Sequence, residues 1–303
     1  MRSGFATVAG RPNVGKSTLV NAMVGTKVSI TSPRPGTTRF GVRGVLHRPD
    51  AQVVFVDTPG LHRPRTPLGE RLNETAISSL EGVDVVVALV DATGGIGPGD
   101  RIVVQRSLAV TRGGAEHPAA ALLVAVNKID VATPAELLGR LASVAAAVEE
   151  LAATAGDASL AEPVEYYPVS ALTGEGVDAL VAAIVERLPE GPPYYPPEMV
   201  SDMPEAIAVA ELVREQLLAR VREELPHSIA CRVTEWEWPR IRCEIVVERD
   251  SQKGIVIGKG GEVLKAVGTA VRQQLAPGAY VELFVTVEPR WQRRADQLDE
   301  LGY

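Results

Sequence analysis

The chain has 303 residues, of which 46% are hydrophobic, 23% charged and 4% aromatic, and its formal net charge is −7. This length favours two domains, and the composition excludes a disordered chain. The negative net charge argues against capture of nucleic acid by bulk electrostatics. A polyanionic partner would therefore have to bind a local basic patch.

Two further features of the sequence concern the cellular location of the protein. Cys231 and Cys243 lack metal-ligand spacing, which favours buried, reduced thiols over the alternative of a lone disulfide. The sequence also lacks an uninterrupted apolar run of the ~20 residues that a membrane-spanning helix needs. Both features indicate a cytoplasmic protein.

Residues 5–188 alternate short apolar runs with helical patterns. The first run, "FATVA", leads into "KSTLVNAMVG", and the later runs are "QVVFVD", "DVVVALVD" and "AALLVAVNKID". Continuous apolar strands separated by helices predict an α/β domain with a mostly parallel sheet and helices on both faces. Functional loops of such a sheet gather at the carboxyl ends of its strands. We therefore predict a domain over residues 1–188.

The pattern changes at residues 189–204, "PEGPPYYPPEMVSDMP", which contain six prolines and predict a stiff linker. Residues 205–303 then read as helix, two paired strands around Trp238-Pro239, two helices and a last strand, with a short C-terminal helix. The order α-β-β-α-α-β predicts a small α+β domain with a C-terminal tail.

The first loop with a chemical signature is "GRPNVGKST" at residues 10–18, which fits G-x-x-x-x-G-K-[ST]. Its glycines let backbone N–H groups surround a phosphate, its lysine reaches the β- and γ-phosphate oxygens, and its serine offers a hydroxyl to Mg²⁺. The alternative is a chance match in a glycine-containing turn. The predicted nucleotide-binding residues here are Gly10, Asn13, Val14, Gly15, Lys16, Ser17 and Thr18.

The predicted magnesium site combines Ser17 with two later motifs. Asp57 ends an apolar strand in "DTPG", as expected of an acidic residue that acts on Mg²⁺ through water, and the Gly60 N–H is placed to sense the γ-phosphate. Thr38, in the Pro/Gly-rich segment "SPRPGTTR", is the candidate for a second hydroxyl ligand, with Thr37 as the competing assignment. The alternative for this segment is a plain loop.

The base-recognition motif is "NKID", at the end of another apolar strand. Guanine presents two adjacent donors that the Asp130 carboxylate can accept together, which selects GTP over ATP. Asn127 would contact the base edge and brace the loop, and the Lys128 stem would cover the ring. The segment Ser170-Ala171-Leu172 would complete the pocket, with the Ala171 N–H donating to guanine O6.

The catalytic position after D-x-x-G is unusual. Many GTPases use a glutamine there to orient the attacking water, whereas this chain has Leu61. The candidate catalytic residues are therefore Asn13, Lys16, Thr38 and Gly60, and hydrolysis should be slow without another source of electrostatic stabilisation. The alternatives are an ATP-using P-loop enzyme and an RNA-binding module with a nucleotide-sensing but weakly hydrolytic site.

A second glycine-rich loop, "IGKGG" at residues 257–261, contains G-x-x-G between helical segments, as in a type II KH domain. Such a turn lets a single-stranded RNA backbone pass close to the protein. Residues 249–272 hold five basic and two acidic residues, a local positive patch. The alternative is a helix-capping turn with solvated lysines. The predicted RNA-binding residues are Lys253, Ile257, Gly258, Lys259, Gly260, Gly261 and Lys265.

Together these motifs resemble the Era family, bacterial GTPases of ribosome assembly. The matching segments, in order, are "GRPNVGKSTLVNAMVG", "TTR", "DTPGLH", "NKID", "SAL", "VERDSQKGIVIGKGGEVLK" and the closing "LGY". The resemblance spans essentially the whole chain. Gly36 departs from the glutamine that Era proteins often have before the two threonines, which leaves the contacts of that loop open.

The resemblance implies GTP or GDP and Mg²⁺ as cofactors, and the 3′ region of 16S ribosomal RNA in the assembling 30S subunit as the partner. It also implies a monomer and leaves open a peripheral contact with the inner face of the cell membrane. In several relatives an asparagine that matches Asn13 helps to hold K⁺ beside the phosphates, where it opposes developing charge. The alternative is that Asn13 only stabilises its loop.

Overall fold

The computed structural model describes residues 1–61, 64, 66–113, 119–162, 164–221 and 225–303. Two compact units make up the structure. The first unit contains Met1–Ser29, Thr38–Arg63 and Leu72–Asp202, and the second contains Ile30–Thr37, Pro64–Arg71 and Met203–Tyr303. The division into domains at 1–188 and 205–303 with a linker at 189–204 stays a prediction.

One six-stranded sheet forms the centre of the first unit. Its strands are β1 (Arg2–Gly10), β2 (Val42–His47), β3 (Ala51–Asp57), β4 (Val85–Asp91), β5 (Ala121–Asn127) and β6 (Glu165–Val169). The strand order is β2-β3-β1-β4-β5-β6. The β2–β3 pair is antiparallel and the other four pairs are parallel. The mostly parallel sheet predicted from the apolar runs is confirmed.

Helices cover both faces of this sheet. They are α1 (Lys16–Val24), α2 (Pro67–Ser78), α3 (Pro98–Thr111), α4 (Pro134–Thr154) and α5 (Val177–Arg187). Alternate residues of β4 belong to two different cores, because successive side chains of a strand point to opposite faces. Val85, Val87 and Leu89 pack in the core that contains α1 and α5, and the residues between them pack with α3 and α4.

The register of the sheet brings the predicted motifs to one edge. Val8, just before the end of β1, pairs with Asp57, and Asn127 pairs with both Asp91 and Val169. Because these strands are parallel, the loops that follow them emerge on the same side of the sheet. The phosphate loop, "DTPG", "NKID" and "SAL" are therefore neighbours.

The second unit contains the predicted α+β fold. Its helices and strands are α6 (Glu205–Leu218), α7 (Leu225–Ser228), β7 (Ala230–Glu237), β8 (Arg240–Val247), α8 (Asp250–Ile257), α9 (Glu262–Arg272), β9 (Tyr280–Val287) and α10 (Ala295–Glu300). The sheet order is β7-β8-β9, with β7 antiparallel and β9 parallel to β8. The predicted order α-β-β-α-α-β is confirmed, with the one-turn α7 as an addition that the sequence did not predict.

Both cysteines lie in the core of this second unit. Cys231 on β7 and Cys243 on β8 are buried free thiols, and burial raises the pKa of Cys231 well above its usual range. The reduced thiols predicted from the sequence are thus present, not the alternative disulfide. Within the described ranges, the helices are too short or too polar to cross a membrane.

Candidate nucleotide site and nucleic-acid loop

The phosphate loop connects β1 to α1 with two residues of positive φ, Asn13 at 66° and Gly15 at 98°. A Cβ on Gly15 would collide with the side-chain amide of Asn127. Glycine is therefore required at this position for both conformation and space. Gly15 directly precedes α1, so the unpaired N–H groups of that helix terminus lie in the loop and favour an anion there.

The side chain of Lys16 is buried at the centre of this loop. Its residue exposure is 6%, and its Nζ donates a hydrogen bond to the Arg11 carbonyl at 3.0 Å. Burial lowers the pKa of Lys16 to about 8, although the Asp57 carboxylate opposes the shift. The ammonium group is therefore poorly solvated, and an anionic ligand would stabilise its charged form.

Three predicted magnesium-site residues lie together. The hydroxyls of Ser17 and Thr38 are 2.7 Å apart. Asp57 is fully buried, and neither of its carboxylate oxygens has a hydrogen-bond partner within the part of the chain that is described. Burial raises the pKa of Asp57, and the nearby hydroxyls and Lys16 act against that shift. This set of oxygens, with an orphaned carboxylate, suits a hard divalent cation.

The geometry separates the two competing threonines. The Thr37 hydroxyl donates to the Arg34 carbonyl at 2.7 Å, whereas the Thr38 hydroxyl lies against Ser17. Thr38 is thus the threonine hydroxyl positioned beside the serine of the phosphate loop. The assignment of Thr38 in preference to Thr37 rests on this difference.

The predicted base pocket is braced by Asn127, which is 2% exposed. Its Nδ2 donates to the Val14 carbonyl at 2.7 Å, and its Oδ1 accepts the Ala171 N–H at 2.9 Å. The asparagine therefore joins the phosphate loop, the "NKID" loop and the "SAL" loop. The predicted hydrogen bond from the Ala171 N–H to guanine O6 would have to share or replace its bond to Asn127.

Two other contacts orient the base pocket. The Ser170 hydroxyl donates to Asp130 Oδ1 at 2.6 Å, which fixes the carboxylate expected to read guanine. The Lys128 ammonium lies 2.6 Å from Asp91 Oδ2, and the backbone of Lys128 has a φ of 71°. Leu172, the last residue of the predicted pocket, is 79% exposed.

The side chain of Leu61, the residue after D-x-x-G, cannot form a hydrogen bond with an attacking water. Leu61 is 6% exposed and packs in the core formed with α3 and α4, while its N–H donates to the Gly10 carbonyl at 3.3 Å. Gly60, beside it, lies against Pro12 of the phosphate loop, since a Cβ on Gly60 would be 2.7 Å from the Pro12 nitrogen. Slow hydrolysis without another source of electrostatic stabilisation stays a prediction.

The second glycine-rich loop lies between α8 and α9, and three of its residues have positive φ: Gly258 at 75°, Gly260 at 61° and Gly261 at 81°. A Cβ on Gly258 would lie 2.6 Å from Val263 Cγ2, whereas no atom lies within 4 Å of a Cβ built on Gly260 or Gly261. Gly258 is thus needed for packing, and the other two leave open space on the loop. The remaining predicted RNA contacts are exposed at Lys259 and Lys265 and half-buried at Lys253 and Ile257.

Sequence reasoning missed two carboxylates near the nucleotide site. Asp91 ends β4 and pairs with Lys128, and Asp100 in α3 accepts a hydrogen bond from the phosphate-loop residue Arg11 at 2.8 Å. A signal for Asp91 was present, because it follows the apolar run "VVVALV" directly. Asp100 lies two residues into a helix, where an acidic residue is ordinary.

Comparisons with known proteins define the class. A model of the 50S ribosome-binding GTPase family matches residues 5–128, and a KH-domain model matches residues 224–292. Together with the phosphate loop and the six-stranded sheet, these matches identify a P-loop GTPase that carries a KH domain.

The relatives identify the family within that class. The chain is 46% identical to the GTPase Era of Mycolicibacterium smegmatis, over 100% of this chain and 99% of that protein, and 46% identical to the GTPase Era of Mycobacterium bovis, over 99% and 98%. A crystal structure of an Aquifex aeolicus Era variant bound to GDP.AlF4⁻ matches with a TM-score of 0.87 at 37% identity, over 100% of this chain and 99% of that one. Another, of Era with MgGDPNP and nucleotides 1506–1542 of 16S ribosomal RNA, matches with a TM-score of 0.85 at 38% identity and the same coverage. The chain belongs to the Era family of GTPases.

Proposed function

We propose that this chain is a GTP-hydrolysing switch that binds small-subunit ribosomal RNA near its 3′ end and assists assembly of the 30S subunit. The main support for the nucleotide switch is the buried Asp57 carboxylate, whose oxygens have no hydrogen-bond partner within the described ranges. It lies beside the paired hydroxyls of Ser17 and Thr38. A buried carboxylate without partners is costly, so this arrangement favours a bound cation.

Different residues of the chain would bind Mg²⁺ and the phosphates. Ser17 and Thr38 would hold Mg²⁺ directly and Asp57 would hold it through water, and the ion, when bound, neutralises charge on the β- and γ-phosphates. Lys16 would exchange the Arg11 carbonyl for phosphate oxygens, and the Gly60 N–H would contact the γ-phosphate. These assignments are supported by the burial of Lys16 and by the 2.7 Å separation of the two hydroxyls.

Guanine selection would come from Asp130. Its carboxylate is held by Ser170 and can accept both the N1 and the 2-amino protons of guanine, whereas adenine offers no donor pair at that position. Asn127 holds the surrounding loops together, so the pocket is formed before the base arrives. Binding then needs little rearrangement of the backbone.

A potassium ion would supply the electrostatic stabilisation that Leu61 cannot. Asn13 is an exposed residue of the phosphate loop with a left-handed backbone, and its amide oxygen is a suitable ligand for a monovalent ion beside the phosphates. Exchanging Na⁺ for K⁺ should then speed GTP hydrolysis, and Asn13→Ala should remove the difference without a comparable loss of GDP affinity. Equal rates in the two salts would contradict this role of Asn13.

The RNA partner is proposed on two supports. The GKGG turn between α8 and α9 leaves open space and a local excess of basic residues, which suits a single-stranded phosphate backbone. The Era structure with 16S ribosomal RNA nucleotides 1506–1542 matches this chain over its whole length. The proposal extends to a monomer in the cytoplasm that contacts the assembling 30S subunit.

The direct test is a phosphate-release assay on the purified full chain, with GTP and Mg²⁺ and with ATP as competitor. GTP should be hydrolysed, excess ATP should not inhibit, and Asp57→Ala should abolish the activity. Filter binding with an RNA of the sequence 1506–1542 on the same preparation should give specific binding. Hydrolysis of ATP, or no preference for this RNA over a scrambled one, would overturn the corresponding half of the proposal.

A further inference from the structure

Asp100 is a fully buried carboxylate in the first turn of α3, and each of its oxygens has a distinct partner. Oδ1 accepts a hydrogen bond from Arg11 Nε at 2.8 Å, and Oδ2 accepts the Gly97 N–H at 2.9 Å. The Arg11 stem also lies against the start of α3, since a Cβ on Gly99 would be 2.6 Å from Arg11 Cδ. The phosphate loop is thus attached to α3 through one side chain.

A second guanidinium faces the same carboxylate from α4. The Arg140 side chain is 1% exposed, and its Nη2 lies 3.7 Å from Asp100 Oδ2. None of its three nitrogens makes a hydrogen bond within the part of the chain that is described. Burial lowers the pKa of Arg140, and the charges of Asp100 and Asp91 oppose that shift. A buried arginine held mainly by charge is unusual, because its desolvation is offset only in part.

The base-recognition loop has an ion pair of its own. Asp91, the last residue of β4, lies 2.6 Å from the ammonium of Lys128, the lysine of "NKID". The charge cluster that meets the phosphate loop consists of Arg11, Asp100 and Arg140.

Fold stability alone does not call for such an arrangement, because apolar residues of similar size can replace a buried ion pair with little or no loss of stability. One end of the cluster instead meets the phosphate loop, which must keep its shape while the ligand changes. The Arg11 carbonyl, now bonded to Lys16, loses that partner when the lysine turns to phosphate. Within the described part of the chain, the hydrogen bond from its side chain to Asp100 would then be the contact that still holds Arg11.

We propose that Asp100 is a positioning residue for GTP binding and hydrolysis, which holds the phosphate loop through Arg11 and is itself paired with Arg140 on α4. The inference rests on the proposed nucleotide site. Its physical basis is preorganisation: donors fixed before the ligand arrives bind it and its transition state without a reorganisation cost.

The first experiment uses Arg11→Met, which removes the link and leaves Asp100 paired with Arg140. We expect GDP dissociation to accelerate and the KM for GTP to rise by ~10-fold, which corresponds to a loss of ~1.4 kcal/mol of binding free energy, with kcat falling less and the melting temperature nearly unchanged. Arg101→Met is the matched control, because Arg101 is a partly exposed arginine on the same helix that pairs with Glu150. The control should behave like the wild type.

The second experiment separates positioning from stability. Asp100→Asn should lower the melting temperature and also impair GDP retention, since it removes the carboxylate charge that faces Arg140. The double variant Asp100→Leu/Arg140→Met replaces the pair with apolar groups and should recover the melting temperature but not the GDP dissociation rate. A double variant that recovered both, or an Arg11→Met protein with wild-type kinetics, would overturn the inference. A wild type that did not bind GTP would instead refute the proposed function.

Discussion

The Ser170 hydroxyl donates a 2.6 Å hydrogen bond to Asp130 Oδ1, across two loops that follow neighbouring parallel strands. This contact fixes the carboxylate that we expect to accept both guanine donors. We therefore expect the guanine specificity of the site to depend on two residues, Asp130 to contact the base and Ser170 to orient the Asp130 carboxylate.

Asp130→Asn should exchange guanine selectivity for xanthine. An amide cannot accept both guanine protons, and each lost hydrogen bond to the charged group costs about 1.5–3 kcal/mol. Competitive titration with GDP and XDP measures the change. Ser170→Ala is the companion variant and should weaken GDP binding by only about 0.5–1.5 kcal/mol, without gaining XDP affinity. An Asp130→Asn protein that still preferred GDP would refute the base-site assignment.

GDP affinity should fall as the pH rises above about 8, because the pKa of Lys16 in the free site is lowered to about 8. The phosphates favour the ammonium form, so above this pKa binding must take up a proton, and the affinity drops by up to ~10-fold per pH unit. Titration of GDP binding between about pH 7 and pH 9 tests this. Lys16→Arg should remove the slope, since arginine stays charged throughout.

The lowered pKa of Lys16 predicts that the stability of the nucleotide-free protein changes with pH in the direction opposite to the GDP affinity. The folded-state pKa of Lys16 lies below its ordinary 10.5, so between about pH 8 and that value the unfolded chain binds more protons. The contribution of Lys16 to the free energy of unfolding therefore increases with pH across this window. Denaturant unfolding of wild type and Lys16→Met should differ in this slope. Parallel pH profiles would mean that the lysine keeps its ordinary pKa.

Substitution at Gly260 should separate RNA binding from GTP binding. A Cβ there meets open space, and Asp and Asn both tolerate its left-handed backbone, so Gly260→Asp and Gly260→Asn differ chiefly in one charge. We expect the aspartate to bind the 16S fragment at least ~5-fold more weakly than the asparagine, because it repels a passing phosphate, with equal GDP affinities. Equal RNA affinities would indicate that this turn only connects two helices. Gly258 is unsuitable for this test, since a Cβ there would be 2.6 Å from Val263 Cγ2.

The sequence predicted the fold and the grouping of the motifs because both follow from short-range patterns. Apolar runs such as "DVVVALVD" define buried parallel strands, and parallel strands place their following loops at one edge. The sequence could not decide whether Thr37 or Thr38 is the second hydroxyl ligand of Mg²⁺, since the direction of each side chain in a loop depends on the backbone conformation. In the structure one hydroxyl turns to Arg34 and the other to Ser17.

The charge cluster around Asp100 lay beyond sequence reasoning for a similar reason. Asp100 and Arg140 are forty positions apart on two helices, and each is an ordinary residue for a helix surface. Only the packing of α3 and α4 on the sheet removes both from water and turns them towards each other. Long-range pairs of this kind depend on tertiary structure, which one sequence does not reveal.

As a GTP-hydrolysing switch, this chain should bind ribosomal RNA with an affinity that depends on the bound nucleotide. The affinity of the full chain for a 16S fragment of nucleotides 1506–1542 can be compared with saturating GDPNP and with saturating GDP at one salt concentration. A switch predicts affinities that differ by at least ~5-fold, the lower range of coupling between two binding sites. Equal affinities in the two nucleotide states would show that GTP hydrolysis does not regulate RNA binding by this chain.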